Sequence, residues 1–301
     1  RDASGANGSI YTHDVSGTDS TAANNTAYGI TALDAITTGD YNTAIGNQSG
    51  SDLNTGQLNT FLGYYSGAKV TEGADNVLIG REAGAAITSG DYNTLVGGSA
   101  GKGYDTENHN TGLGYEALRS GSLAGAEYNV AIGNYTLDAI TSGDSNVALG
   151  YNAGGAVTTG TGNVLIGRDT GDALTDDSQS TLVGAYAGSQ ATVGQLTAFG
   201  YGALNGVTTG VRNTAIGYDC GNSFDAENDN TFMGYASGSG SINGAEANVG
   251  VGNYTLDALT SGDNNVAVGY AALSAVGSGY DNVAVGQGAA LNHTDGQGLV
   301  M

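Results

Sequence analysis

The chain has 301 residues, of which 54 are glycine, one is cysteine and none is proline or tryptophan. Glycine at this level without proline or a Gly-X-Y period excludes collagen, and a single cysteine excludes a disulfide-stapled scaffold. A formal net charge of −22 excludes charge-driven binding to nucleic acid, and no apolar run approaches the ~20 residues that membrane insertion requires.

From the N-terminus, residues 1–24 fit no repeat and are predicted to form a cap or a junction. From residue 25 to residue 290, a motif of the form Asn-Thr/Val-x-Ile/Leu/Val-Gly recurs sixteen times, and most steps are 17 residues long. Residues 110–151 return as residues 230–270, seven units later, as expected of a tandem array. Residues 291–301 lose the motif and are predicted to form a C-terminal exit or junction. The motif glycines stand at positions 29, 46, 63, 80, 97, 114, 133, 150, 167, 184, 200, 217, 234, 252, 269 and 286.

Each unit contains one short strand, because β-branched and apolar residues alternate immediately before the motif glycine. Seventeen residues are too few for a strand–helix–strand crossover. Each unit is therefore predicted to be one coil, and the fold class is all-β, a parallel β-solenoid (β-roll or β-helix) of about sixteen 17-residue coils.

Four columns are predicted to face the interior of the coil. The residue before each motif glycine is large and apolar, from Tyr28 to Val285, and Thr or Val stands two positions before it. A second apolar column follows seven residues after the glycine, beginning with Ile36 and Leu53. A small residue stands three positions after every motif glycine, which indicates that two walls of the coil approach closely there.

Asparagine four residues before the motif glycine predicts a corner and a structural ladder, because Asn accepts positive φ and its amide can bond the next coil. Ser180 and Leu196 are the exceptions within the array, and a glycine seven before the motif glycine is expected to take positive φ at the same corner. The predicted ladder residues are Asn42, Asn59, Asn76, Asn93, Asn110, Asn129, Asn146, Asn163, Asn213, Asn230, Asn248, Asn265 and Asn282.

The middle residue of each strand is Ala, Leu, Phe or Gly and is never polar. Because this position alternates with the two positions predicted to be core, it is expected to face outward as an apolar strip that identical chains cover. The chain is thus expected to be a homo-oligomer, and the larger members of this column are the predicted interface. They are Phe61, Leu78, Leu95, Leu165, Leu182 and Phe232.

The strand motif resembles the head repeats of trimeric autotransporter adhesins. The segments that carry this resemblance are NTAIG at 42–46 and 213–217, NVAIG at 129–133, and NVAVG at 265–269 and 282–286. It implies three chains packed along one axis as a homotrimer, and a surface that binds host matrix or cells. The longer unit is also similar to arrays in phage tail fibres, through GYEAL at 114–118, GYNAG at 150–154, GYGAL at 200–204 and GYAAL at 269–273. Autotransporter head repeats are shorter than 17 residues, and this difference leaves the handedness of the coil open.

No residue pattern predicts an enzyme or a cofactor. His13, His109 and His293 are far apart, Cys220 stands in the small-residue column, and no nucleophile–His–carboxylate set recurs. Corner aspartates could supply oxygen ligands to calcium, but the nonapeptide pattern of calcium-binding β-rolls is missing, so no metal is predicted. The corner aspartates are Asp40, Asp75, Asp91, Asp144, Asp263 and Asp281. Tyrosines after the motif glycine predict a stacked row, with a glycan-contacting strip as the alternative. They are Tyr64, Tyr115, Tyr151, Tyr201, Tyr218, Tyr235 and Tyr270.

The leading functional hypothesis is a structural or adhesive fibre segment, extracellular, belonging to a virion tail fibre or a cell surface. Its partners would be further copies of itself and a host-surface receptor or glycan, with no nucleic acid. A self-polymerising filament subunit is an alternative, as is a monomeric solenoid that binds ice or glycan. The ice-binding alternative is disfavoured here because the Thr/Val column is expected to face the core. A β-helix enzyme is disfavoured because no coil departs from the pattern to build a cleft with paired carboxylates.

Overall fold

The computed structural model describes residues 10–11, 21–120 and 125–301, and these residues contain strands and turns but no helix. The chain divides into two compact units, Arg1–Asn146 and Val147–Met301. Within each unit, short strands recur about every 17 residues and pair in parallel with the strand of the next coil. The predicted fold class, an all-β parallel β-solenoid, is confirmed.

In the first unit, the strands pair in chain order without register shifts, so that Thr43 lies beside Thr60 and Ala44 beside Phe61. Its strands are β1 (Ile10–Tyr11), β2 (Thr26–Tyr28), β3 (Thr43–Ile45), β4 (Thr60–Leu62), β5 (Val77–Ile79), β6 (Thr94–Val96), β7 (Thr111–Leu113) and β8 (Val130–Ile132). Each motif position is therefore stacked on the same position of the neighbouring coil.

The second unit repeats this arrangement, with Val164 beside Thr181 and Thr181 beside Thr197. Its strands are β9 (Val147–Leu149), β10 (Val164–Ile166), β11 (Thr181–Val183), β12 (Thr197–Phe199), β13 (Thr214–Ile216), β14 (Thr231–Met233), β15 (Val249–Val251), β16 (Val266–Val268) and β17 (Val283–Val285). The register holds across β11 and β12, although the step between their glycines is one residue shorter.

The side chains of the strands point in the opposite direction from the prediction. The middle residue of every strand from β2 to β17 is buried, whereas the first and third residues are half-buried or exposed. The predicted oligomer interface is therefore wrong, because the side chains of its six residues fill the interior of their own coil. Those residues, Phe61, Leu78, Leu95, Leu165, Leu182 and Phe232, are each 0% exposed.

The rest of the predicted interior is confirmed. The apolar column seven residues after the motif glycine is fully buried, as at Ile36, Leu53 and Leu174. The small residue three positions after the glycine is also buried in all coils but the last, where Ala289 is half-buried. The interior thus consists of the middle strand column, this second apolar column and the small column between them.

A size rule links neighbouring coils in this interior. The residue four positions after the motif glycine is leucine wherever the middle strand residues of its own coil and of the next coil are both Ala or Gly. It is glycine wherever either of those residues is Leu or Phe. A Cβ on Gly188 would crowd the side chain of Leu182, and one on Gly67 would crowd both Phe61 and Leu78. The leucines of this position are Leu33, Leu118, Leu137, Leu204, Leu256 and Leu273, all fully buried.

The motif glycine is required by its backbone conformation and by a close contact. Its φ lies between +128° and +145° throughout the array. A Cβ on Gly217 would overlap the carbonyl oxygen of Gly234 in the next coil, and the same holds for Gly200 against Gly217. The glycines therefore stack backbone against backbone along each unit.

The corner differs from the prediction in which residue takes the left-handed conformation. Positive φ falls on the residue immediately before the ladder asparagine, for example Tyr41, Tyr92 and Arg212 at 58–59°. The corner glycine seven before the motif glycine does not have positive φ. Instead a Cβ on Gly39 would overlap the backbone of the next coil, because the walls approach closely there.

The asparagine ladder forms as predicted. The backbone N–H of Asn59 donates to Oδ1 of Asn42 at 3.0 Å, and Nδ2 of Asn59 donates to the carbonyl of Gly73 at 2.8 Å. The thirteen predicted ladder residues are at most 1% exposed. In the second unit the ladder passes through Ser180, whose Oγ accepts from the Leu196 N–H at 3.2 Å. Each amide thus satisfies buried backbone groups that would be costly to leave unpaired.

Two longer loops, within residues 119–127 and 239–246, are anchored by glutamates that replace the corner glycine. Glu107 and Glu227 are 2% and 3% exposed. Glu227 accepts from the N–H of Asp225 at 2.6 Å and from that of Gly244 at 2.8 Å. Glu107 does the same with Asp105 and Gly125, seven coils earlier. The buried carboxylates therefore act as backbone caps.

The ends of the array extend the repeat. Residues 1–9 and 12–20 of the predicted N-terminal cap lie outside the described residues, but β1 pairs with β2 as a further coil strand. At the other end, Val283 bridges to Val300, and the N–H of Leu299 donates to Oδ1 of Asn282 at 3.0 Å. Residues 296–301, predicted as an exit, therefore continue the register of the coils.

Candidate interaction surface

Each unit presents an uncharged outer face of Thr, Val and large apolar residues, formed by the first and third residues of its strands from β2 onward; we call this the outward strand face. The third residue is always large, and several are substantially exposed. Those with the greatest exposure are Tyr28 at 67%, Val285 at 60%, Leu113 at 47%, Leu62, Leu149 and Met233 at 43%, and Phe199 at 41%. The face that the sequence placed in the core is thus the face that meets solvent.

No residue of strands β2 to β17 is charged, although the chain carries 29 acidic residues. The acids lie at corners and in turns instead. Two copies brought together through their outward strand faces would therefore not place like charges in direct opposition, whereas contact through the corners would. Charge thus favours the outward strand face over the other surfaces of the chain for contact between copies.

A row of tyrosines borders this face in the second unit, one position after the motif glycine. The rings of Tyr201, Tyr218 and Tyr235 are stacked with centroids 5.2 and 5.5 Å apart and planes within 10° of parallel. The predicted stacked row is confirmed for these residues. Both ring faces of Tyr218 are covered by the neighbouring rings, which argues against a sugar ring stacking on it.

A second aromatic stack lies at the corner of the first unit. The exposed imidazole of His109 lies between the rings of Tyr92 and Tyr128, 4.9 Å from each and nearly parallel to both. His13 lies outside the described residues, and His293 is remote in sequence. The prediction that His109 is an exposed corner residue is confirmed.

Cys220 fills the small-residue column and is fully buried. Burial raises the pKa of its thiol to about 12, because the thiolate would be desolvated. A thiol in this state is not a nucleophile at neutral pH, which agrees with its predicted role as a filler of the interior.

Most of the corner aspartates serve the backbone. The Ala23 N–H donates to Oδ1 of Asp40 at 2.7 Å, and the Ala74 N–H donates to Oδ1 of Asp91 at the same distance. Asp144 and Asp263 cap Glu127 and Glu246 in the same way. Within the described residues, no three His, Cys, Asp or Glu side chains converge as a metal site.

In the part of the chain that the structure describes, no helix has the length and hydropathy of a membrane span. Comparison with protein-family models, with curated proteins and with solved structures gives no match.

Two features were missed in the sequence analysis. One is the direction in which the strand side chains point, and the other is the pair of buried glutamates that hold the longer loops. The size rule between coils was the available signal for direction, since only residues that share one interior compensate for each other in volume. The glutamates were visible as interruptions of the corner glycine column immediately before the two longer units.

Proposed function

We propose that this chain is a non-catalytic structural segment of an extracellular fibre, of a virion tail fibre or a surface adhesin, which self-associates through its outward strand face. The observation that carries the proposal is a strand face without a single charge on a chain of net charge −22. The resemblance to trimeric adhesin and tail-fibre repeats adds a threefold arrangement of identical chains.

Stiffness supports a structural role. The described coils hold together through backbone stacking at the motif glycine, the asparagine ladder and a fully packed interior. These contacts repeat from coil to coil with little variation, and such arrays resist bending because each repeat is fixed to its neighbours. A spacer or a binding platform needs resistance to bending more than it needs a cleft.

The test is to place charge on the outward strand face. The double variant Phe199→Lys/Met233→Lys puts two ammonium groups on partly exposed positions of β12 and β14. We expect it to lower the native mass to that of a single chain at micromolar concentration while leaving the far-UV circular dichroism unchanged.

The matched control is Gln179→Lys/Ala247→Lys, which adds the same two charges at exposed corner positions where Arg212 already carries a long cation. The control should retain the mass of the unaltered protein. Equal masses for both variants and the unaltered chain would show that the outward strand face is not the contact.

A second candidate function, ice binding, is favoured by one correction to the sequence interpretation. The Thr/Val column lies on the outer face, and four consecutive strands carry threonine at Thr181, Thr197, Thr214 and Thr231. With strands about 4.8 Å apart, these hydroxyl and methyl groups form a regular array. The reason given above for disfavouring ice binding, a Thr column that faces the core, is therefore wrong.

One experiment distinguishes the fibre function from ice binding. Ice binding predicts thermal hysteresis from the single chain, abolished by Thr197→Lys/Thr231→Lys. The fibre proposal predicts no hysteresis, and loss of self-association in the same variant. Hysteresis from a monomeric protein would replace the fibre proposal with this second candidate.

A further inference from the structure

A cavity of about 470 Å³ lies in the first unit, where the longer loop begins. It is lined by Lys102, Gly103, Arg119, Ser120 and Asp138, which belong to three successive coils. Lys102, Arg119 and Asp138 occupy equivalent positions, five residues after their motif glycines. A volume of this size is in the range of small-ligand sites, which begins at about 300 Å³.

The two cations are held in place at the cavity wall. Nζ of Lys102 lies 2.8 Å from Oε2 of Glu82, and Nη1 of Arg119 lies 3.1 Å from Oε2 of Glu116. Ammonium has three donors and guanidinium has five, so one carboxylate contact each leaves donors for a bound anion. The chain has seven Lys and Arg against 29 Asp and Glu, and two of these seven cations line this one cavity.

One wall residue has a polar group without a protein partner. Ser120 is only 6% exposed, and its Oγ has no hydrogen-bond partner among the described residues. Tyr104 follows Gly103 in sequence and its hydroxyl is also unpartnered, but its side chain is fully buried and is not part of the cavity lining. Burial raises the pKa of Asp138, because its carboxylate is desolvated at the wall. A buried, unpartnered hydroxyl beside two cations is a feature of a site that a ligand completes.

The internal duplication supplies a comparison within the same chain. Seven coils later, Lys102 and Arg119 are replaced by Asn222 and Ser239. In the same copy, Tyr104 and Ser120 are replaced by Phe224 and Gly240.

Both cations and both unpartnered hydroxyls are therefore absent from a copy that keeps the anchoring glutamate, the loop and the aspartate at position 257. Because the fold is maintained without these four groups, they are not needed to build the coil. A role in binding explains why the first copy carries the two cations and the Ser120 hydroxyl together.

We propose that this cavity binds an acidic sugar of the hexuronate class. Lys102 and Arg119 would receive the carboxylate, while Asp138 would accept hydrogen bonds from sugar hydroxyls and Ser120 would exchange hydrogen bonds with them. A site with two cations alone would suit any small anion; the carboxylate of Asp138 disfavours a bare anion and favours a ligand that also brings hydroxyl donors. The site lies wholly within one unit of one chain and does not depend on the self-association proposed above.

The experiment measures binding of D-glucuronate, D-glucose and inorganic phosphate to the full chain by saturation-transfer NMR and calorimetry. Glucuronate should bind, and glucose and phosphate should each bind about tenfold more weakly, because each lacks one of the two kinds of contact. Phosphate binding as tightly as glucuronate, or no binding of glucuronate, would overturn the proposal.

The variant Lys102→Asn/Arg119→Ser transfers the residues of the second copy, so it is expected to fold. It should weaken glucuronate binding about tenfold or more. The control Arg168→Asn/Arg212→Ser removes two cations elsewhere and should leave the affinity unchanged. An equal loss in both variants would show that only net charge matters. Native mass recorded on the same samples separates failure of this site from failure of self-association.

Discussion

At the motif glycine, two constraints act on one residue. Its φ lies in a region where a residue with a side chain would be strained, and its α-carbon lies against the carbonyl of the next glycine. At the position before the ladder asparagine φ is about +59°, in the left-handed region that side chains can enter, and Tyr, His and Arg all occupy it. The motif glycine is therefore required both by a φ outside that region and by the lack of room for a Cβ.

The first prediction compares these two positions. Gly217→Ala should lower the free energy of unfolding by more than about 2 kcal/mol, because the new methyl group forces the stacked backbones apart. Gly162→Ala, where φ is +70° and no atom lies within 4 Å of the new Cβ, should cost about 1 kcal/mol or less. Urea denaturation of both variants checks this. Equal losses would show that neither the φ of Gly217 nor its close backbone contact sets the motif glycine apart.

The second prediction concerns aspartates in the turn after the strand. Burial raises the pKa of Asp172 and of Asp257, and Oδ1 of each has no hydrogen-bond partner within the described residues. A carboxyl whose pKa is raised in the folded state destabilises the fold while it is ionised. This cost is present at neutral pH and disappears as the pH falls through the raised pKa.

Asp172→Asn and Asp257→Asn should therefore each stabilise the protein at pH 7, by about 0.5 kcal/mol after allowance for solvent screening. The gain should vanish in acid. Asp34→Asn, an exposed position of the same column, is the charge-matched control. Thermal denaturation across pH gives the result, and a gain that persists at low pH would refute the explanation.

At the scale of the element, the interior is built by compensation between neighbouring coils. A leucine four residues after the motif glycine and a large middle strand residue use the same space, so the chain carries one or the other. This keeps the interior volume nearly constant from coil to coil, which allows the strands to hold one register.

The third prediction is a double-mutant cycle at β12. Ala198→Leu should clash with Leu204, and Leu204→Gly should leave a cavity, and each should cost about 2 kcal/mol or more. The double variant reproduces the natural pair of Leu182 with Gly188 and should recover to within about 1 kcal/mol of the unaltered protein. Additive losses in denaturation experiments would contradict the size rule.

The period, the strand positions, the ladder and two of the three interior columns could be predicted from the sequence. The direction of the strand could not be predicted from alternation, because both faces are apolar, as at Phe61 between Thr60 and Leu62. The sizes of the residues within a single coil do not show which face of the strand is buried. Correlation between coils, as between Leu182 and Gly188, resolves it, because volume compensation requires a shared interior.

In the whole molecule, an uncovered strand face is present as predicted, but it is formed by different residues because the side chains point the opposite way. The sequence predicted an uncovered apolar strip of Phe, Leu and Ala; the structure replaces it with a strip of Thr, Val, Ile and Leu on the outward strand face. The proposed self-association through this face would leave the acidic corners in solvent, where their charge would oppose further bundling.

The absolute mass of the native particle, measured by light scattering or native mass spectrometry over a range of concentrations, tests self-association directly. We predict a mass of about three times 29.7 kDa, the mass of one chain, because we propose that identical outward strand faces cover one another around a threefold axis. A mass of 29.7 kDa at every concentration would contradict self-association and leave the outward strand face exposed in a solitary solenoid.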